Sequence, residues 1–308
     1  MKKKKHRTQK KEYIMNTKKI VCFGEVLWDV LPTFKIAGGA PMNVSIRLQS
    51  LGIETKMISK IGNDALGNEL LAIIKDKNVT TELIQQDATL ATGEVMVHLN
   101  ENGSATYDIV YPSAWDKIEL TAANLQAVQE ADALVYGSLA CRDDVSRHTL
   151  LELLKVAKYK IFDVNIRPPF YSIPFLKEMM ELADFVKLND DELLEVAQAL
   201  GSTSSKIEAN ILFLAELTNT HSICVTKGKD GAVLFTDKQF YSHKGFTVQV
   251  ADTIGAGDSF LAGFLSKFLY QTDFLHAVEY GCAVGALVAS HNGANPVITD
   301  AEIQALLQ

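Results

Sequence analysis

The sequence predicts an α/β fold: a central, mostly parallel β-sheet flanked by helices on both faces, with a small β lid. Short apolar runs alternate with longer amphipathic ones along most of the chain, the pattern of repeated βα units. Two stretches break that rhythm and read as antiparallel strands. No internal repeat or low-complexity linker interrupts the 308 residues, so one domain with a flap is expected over 18–308.

The elements follow in order. KKIVCFGEVL (18–27) reads as a buried strand, and NVSIRLQSLG (43–52) as a helix stopped by Gly52. TKMISKIG (55–62) is again a strand, and DALGNELLAIIKDKN (64–78) has the 3.6-residue period. GEVMVHLNENGSATYDIV (93–110) is two strand-like runs around Asn-Glu-Asn-Gly, a hairpin signal; with about 30–38 it forms the expected lid, which reaches to 92–115. The alternation resumes with ALVYGS, a helix near 144–157, YKIFDVN, a helix near 174–182, ADFVKLN, DELLEVAQALG and SICVTKG. GAVLFTDKQFYSHKGFTVQV (231–250) is the second antiparallel-looking stretch.

Composition narrows the function classes. The chain is 47% hydrophobic and 22% charged, the balance of a globular protein with a sizeable core. Net charge is −7, yet residues 1–14 hold seven Lys or Arg against one Glu, so the rest of the chain carries −13. A body this acidic argues against a nucleic-acid surface. The basic stretch at 1–17 is expected to be a disordered extension, with Met15 as an alternative start; it lacks the apolar run of a signal peptide or membrane anchor. Cys22, Cys141, Cys224 and Cys282 are widely spaced, which predicts buried free thiols and a cytoplasmic protein.

In open α/β sheets ligands bind at the carboxyl ends of the strands, so strand-to-helix junctions are the places to look for chemistry. In DTIGAGDSF (252–260), Gly255, Ala256 and Gly257 enter a helix whose apolar face is Phe260, Leu261, Phe264, Leu265, Phe268 and Leu269. Free backbone N–H groups and the positive helix end make an anion site there. Asp258 in the first turn suits a base that takes a proton from a hydroxyl while the anion hole holds a phosphoryl group; a plain helix cap is the alternative.

The other junctions are weaker alone. In KLNDDEL (187–193), Asn189 and Glu192 can face hydrated Mg²⁺ on a nucleotide, or form a capping box. AGGAPMN (37–43) brings Gly39 and Asn43 to a hydroxyl-rich ligand, or is only a turn. Asp29 suits a clamp on vicinal hydroxyls, or a surface turn. In DVNIRPP (163–169), Asp163, Asn165 and Arg167 alternate and so should share one side; Arg167 suits phosphate or an ion pair with Asp163. TKGKDG (226–231) is a junction for a nucleotide or a hairpin turn.

Taken in order, these junctions resemble the ribokinase-like (PfkB) family of carbohydrate kinases over essentially all of 18–308. D-T-x-G-A-G-D-x-F is a specific family signature, and GGAPMNVSIRLQSLG is similar to its N-terminal one. The resemblance implies an ATP- and Mg²⁺-dependent transfer to an acceptor hydroxyl, with Asp258 as base and Gly255–Gly257 as anion hole. It implies that Asp29, Gly39 and Asn43 hold the sugar, that Asn189 and Glu192 organise Mg²⁺ and phosphates, and that Lys187, Thr226, Gly228 and Gly231 flank the nucleotide. A monovalent cation, K⁺, would sit near Asp252, Ile254, Val288 and Gly293. GEVLWD, GGAPMN, SAWD and NIRPPFY look most like fructokinases, so D-fructose is the expected acceptor. Ribose, 2-keto-3-deoxygluconate or a nucleoside are alternatives, as is a non-catalytic sugar sensor. Asn165 and Arg167 are further acceptor-side candidates, and Trp115, just after the flap, could pack on a sugar face or in the lid core. Only eight residues separate Asp29 from Gly38, which shrinks one lid strand and argues against a lid-mediated homodimer.

Overall fold

A computed structural model of the chain describes residues 17–99, 105–270 and 273–308. The basic stretch at 1–14 lies outside the described residues, as does the tip of the expected hairpin.

The large sheet has nine strands. β1 (Lys19–Phe23) is near its middle, β2 (Leu27–Val30) and β3 (Lys35–Gly38) leave it, and α1 (Ala40–Ser50) leads back to β4 (Glu54–Gly62). α2 (Ala65–Asp76) and β5 (Ile84–Asp87) complete that side, and β6 (Gly93–Leu99) and β7 (Ala105–Ile109) form a hairpin. Then come α3 (Ala122–Glu130), β8 (Ala133–Gly137), α4 (Asp144–Leu154), β9 (Lys160–Asp163), α5 (Ile173–Leu182), β10 (Phe185–Asn189), α6 (Asp190–Ala199) and α7 (Ile207–Thr218). β11 (Ser222–Thr226), β12 (Ala232–Thr236) and β13 (Gln239–His243) close the sheet edge, and α8 (Ala256–Phe268), α9 (Phe274–Ala289) and α10 (Asp300–Leu307) follow.

The strand order is β13-β12-β11-β10-β9-β8-β1-β4-β5, parallel from β11 to β5, with β12 and β13 antiparallel. Alternation in β1 shows why both faces are covered: Val21 and Phe23 enter one core cluster, Ile20 and Cys22 the other. α4, α5, α6 and α7 pack with the first cluster, α1, α2, α8 and α9 with the second. α8 and α9 touch closely because Gly263 faces Val284; a Cβ there would lie 2.9 Å from that side chain. Phe185, Phe264 and Phe268 stack between sheet and helix, with ring centroids 4.8–5.3 Å apart. All four cysteines are buried and free.

The second sheet, β3-β2-β6-β7, is the stretch expected as a flap. β2 and β3 are four residues each, as the short segment between Asp29 and Gly38 requires. From β1 the order runs outward to β4 on one side and β8 on the other. That reversal opens a crevice at the strands' carboxyl ends, where β1, β9, β10 and β11 end near Glu25, Asp163, Asn189 and Thr226. Among the described residues no helix is long and apolar enough to cross a membrane.

Candidate active site

The turn into α8 is built as its residue types suggest. Gly255 has φ 72°, a left-handed conformation that glycine adopts without strain. A Cβ there would lie 2.8 Å from the backbone of Ala294. Ala256 N–H donates to Thr253 O, whereas the N–H groups of Gly257 and Asp258 have no protein partner among the described residues. Lys187 Nζ lies 3.6 Å from where a Gly257 Cβ would be, so a cation stands beside these donors. Gly255→Ala is therefore expected to destabilise the protein by about 1–3 kcal/mol and to raise the KM for ATP more than that for the acceptor; equal effects on both would contradict an anion-binding turn.

Asp258 stands in the first turn of α8, and Asn43 of α1 donates Nδ2–H to its Oδ2 at 2.8 Å. Burial and the charge of Asp163 push its carboxyl up to about 6, against the Asn43 hydrogen bond, Lys187 and Arg167. Burial likewise pushes Asp29 up to about 6, Arg167 opposing and Asp258 adding to the rise. Asp29 lies against Gly38, where an added Cβ would meet its carboxylate at 2.5 Å. Gly39, φ 111°, is the N-cap of α1, and a Cβ there would meet Glu25 O at 2.4 Å.

Arg167 lowers the carboxyls of Glu25, Asp29 and Asp258 alike, and the ion-pair partner of Asp163 is another residue. That partner is Lys187, with Nζ 3.0 Å from Asp163 Oδ1, both side chains buried. Burial works against the charge on Lys187, but Asp163, Glu192 and Asp258 outweigh it and raise its pKa. The alternation expected over Asp163, Asn165 and Arg167 does not occur: β9 ends at Asp163, and Asn165 turns with φ 39°.

Asn189 and Glu192 form the capping box of α6. Asn189 Oδ1 accepts from Glu192 N–H, Glu192 Oε2 accepts from Asn189 N–H (both 2.8 Å), and Glu192 Oε1 accepts from Ile166 N–H at 2.9 Å. The amide nitrogen of Asn189 keeps its donors free of protein partners among the described residues. No group of three His, Cys, Asp or Glu side chains able to hold a metal occurs among the described residues, so these two fit a hydrated Mg²⁺ carried on phosphates better than a stripped ion.

Thr226 ends β11, and Gly228, φ 54°, has nothing within 4 Å of an added Cβ, so that edge is open. Gly231, φ 81°, ends the same turn, and a Cβ there would lie 1.9 Å from His243 O, so the start of β12 passes close against the end of β13. Trp115 is a correction. It is completely buried with Leu27, Val95, Ile109 and Leu139, and the Arg142 guanidinium stacks on its ring at 4.0 Å. It therefore presents no face to a sugar; the short 3-10 turn at 114–117 drives it inward.

Asp252 links two loops: Oδ1 accepts from Ile254 N–H at 3.0 Å and Oδ2 from Gly293 N–H at 3.1 Å. Val288 O accepts from His291 N–H and keeps one lone pair. Asp252 so ties together the backbone that a monovalent cation would use, Val288 lying in the last turn of α9.

Two site residues were missed in the sequence. Glu25 is buried, its Oε1 accepts from Ala40 N–H at 3.3 Å, its Oε2 has no partner, and burial pushes it up to about 7. An acid inside the apolar run VCFGEVLW is the signal that was available. Asn295, whose Nδ2–H donates to Asn43 Oδ1 at 2.7 Å, gave no such signal.

A turn of phosphate-ready N–H groups beside a raised carboxylate at the carboxyl ends of a parallel sheet defines a phosphotransferase acting on an alcohol. The family described as pfkB family carbohydrate kinase matches residues 11–301, and the chain belongs to it, on its fructokinase side. It is 30% identical to a fructokinase of Solanum tuberosum over 314 residues, 94% of this chain and 95% of the relative. It superposes with TM-score 0.82 on a fructokinase variant of Vibrio cholerae O395 in its fructose, ADP and potassium ion bound form (26% identity; 95% of this chain, 99% of that one). With TM-score 0.80 and 25% identity it matches aminoimidazole riboside kinase of Salmonella enterica complexed with aminoimidazole riboside and an ATP analog (94% of this chain, 100% of that one).

Proposed function

We propose that this chain transfers the γ-phosphate of ATP to a primary hydroxyl of D-fructose, with Asp258 as the general base. The observation that carries this reading is the Asp258 carboxylate, hydrogen-bonded by Asn43 and seated at the open N-terminus of α8 beside Lys187. Asp258 takes the proton of the acceptor hydroxyl as its oxygen forms a bond to the γ-phosphorus and the bond to ADP breaks. The N–H groups of the Gly255–Gly257 turn and Lys187 stabilise the charge on the phosphoryl oxygens. Asp29, Gly39, Asn43, Asn165 and Arg167 hold the acceptor, and Thr226 and Gly228 flank the nucleotide.

Asn189 and Glu192 would hold Mg²⁺ through water and phosphate, where the ion neutralises phosphate charge. The backbone at Asp252, Ile254, Val288 and Gly293 would hold K⁺ and fix the anion turn. The β3-β2-β6-β7 sheet acts as a lid over the acceptor. The stretch 93–114 contains no Lys or Arg, which disfavours a sugar phosphate as acceptor. The likeness to a riboside kinase supports a riboside as the second reading.

ADP release with Mg·ATP and K⁺, measured against fructose, ribose, glucose, 2-keto-3-deoxygluconate, adenosine and fructose 6-phosphate, tests the reading. Turnover is expected with fructose. Turnover with another acceptor alone would discard fructose and keep the mechanism, and none with any acceptor would favour a sensor.

A further inference from the structure

We propose that Asn295 is a positioning residue for phosphoryl transfer: it fixes which way round the Asn43 amide lies, and so keeps an N–H aimed at Asp258. The inference rests on the reading of Asp258 as the base.

Three side chains form one hydrogen-bonded line. Asn295 donates to Asn43 Oδ1 at 2.7 Å, and Asn43 donates to Asp258 Oδ2 at 2.8 Å. An amide is nearly symmetric in shape, so packing alone does not choose between its oxygen and its nitrogen. Turned over, Asn43 would set its oxygen against the carboxylate, an arrangement that only a protonated Asp258 could satisfy. Asn295 favours the observed orientation, because its own N–H₂ faces Asn43 Oδ1 and would meet another N–H₂ in the turned one. The same alignment leaves Asn295 Oδ1 buried without a partner among the described residues.

Arg47 builds the frame. It is fully buried on α1, one turn beyond Asn43, and donates from Nε to Ser259 Oγ at 3.3 Å and from Nη2 to Pro296 O at 2.9 Å. Ser259 and Pro296 are the immediate neighbours of Asp258 and Asn295, so one guanidinium fixes both flanks of the line. The other charged groups facing Asp258 are Glu25 and Asp29 after β1, Asp163 on β9, Arg167 in the loop after it and Lys187 on β10. α9 meets the start of α8 at Gly285, which brings no charge. None of these groups distinguishes the two orientations of Asn43; Asn295 does.

The test is a carboxyl-¹³C NMR titration of Asp258, assigned by the signal lost in Asp258→Asn, in the full-length protein. Asn295→Leu keeps the size and removes the donor; Asn295→Ala serves should Leu impair folding. The Asp258 midpoint is expected near 6 in the unaltered protein and higher by about half to one pH unit in either variant, the size of a partly lost hydrogen bond to a charged group. In an Asn43→Ala background the same substitution should leave the midpoint where it is. An unmoved midpoint in the first comparison, or an equal rise in both backgrounds, overturns the proposal. The acidic limb of kcat/KM should follow the NMR midpoint, so kcat/KM at pH 5.5 falls about 3- to 8-fold more than at pH 8.5. A midpoint that moves while the limb stays would overturn Asp258 as the base and leave the Asn295 alignment standing.

Discussion

Asp258→Asn is expected to lower kcat for sugar phosphorylation by about 10²–10⁴-fold while making the unliganded protein more stable at pH 8. The loss follows from removing the proposed base, the carboxylate in the first turn of α8 beside the anion turn. The gain follows from linkage. The folded-state pKa of Asp258, about 6, is raised above the ordinary value of 3.8, so folding favours its protonated form. The carboxyl is therefore tolerated without cost at low pH, and its ionisation destabilises the fold progressively as pH rises from about 4 through about 6. At pH 8 that penalty has an upper bound of about 3 kcal/mol, and Asn, which still accepts from Asn43, should recover about 1–2 kcal/mol of it. Thermal unfolding at pH 8 and pH 4.5 checks the sign: the variant should gain a few degrees at pH 8 and little at pH 4.5. A folded variant with undiminished turnover would contradict the assignment of the base.

Asp116→Ala should be among the most destabilising single changes, by about 3–5 kcal/mol. Asp116 is completely buried and takes a two-pronged contact from Arg142, Nε to Oδ1 at 2.7 Å and Nη2 to Oδ2 at 2.9 Å, besides accepting from Ser113 N–H at 2.8 Å. Arg142 also donates to the carbonyls of Ile109 and Val110 and stacks on Trp115, so it is locked in place when its counter-charge goes. The variant leaves a buried, unpaired guanidinium under the root of the small sheet. Arg142→Met in the same chain should restore part of the loss, since removing both charges leaves none unpaired. Urea unfolding of the single and double variants tests this; a single-variant loss under about 1 kcal/mol would show the pair to be as weak as an exposed one. Because β7 ends where Arg142 grips, the KM for the acceptor should rise as well.

What was legible in the sequence was what short-range pattern controls. Strands such as KIVCF and SICVT stand out because burial on both faces leaves little room for polar residues, and the 93–110 hairpin was signalled by the Asn-Gly in its sequence between two strand-like runs. The turn at Gly255–Gly257 was readable because glycine spacing reports backbone geometry directly. α9 was not, since FLHAVEYGCAVGALVA is apolar nearly all round and shows no stripe; it is buried against α8 as well as the sheet. Trp115 was open between two roles, and only the third dimension shows Arg142 on its face. Arg167 was assigned a side by strand alternation that stops four residues earlier, at Asp163. Glu25 and Asn295 act through contacts 15 and 252 residues away in sequence, which no local pattern encodes.

The measurement that bears most directly on the central claim is ³¹P NMR of the reaction of this protein with Mg·ATP and fructose, run beside Asp258→Asn. The account predicts one new phosphomonoester on a primary carbon of the sugar, in step with ADP, and almost none from the variant. Inorganic phosphate without a sugar ester, or an ester that forms equally well without Asp258, would contradict it.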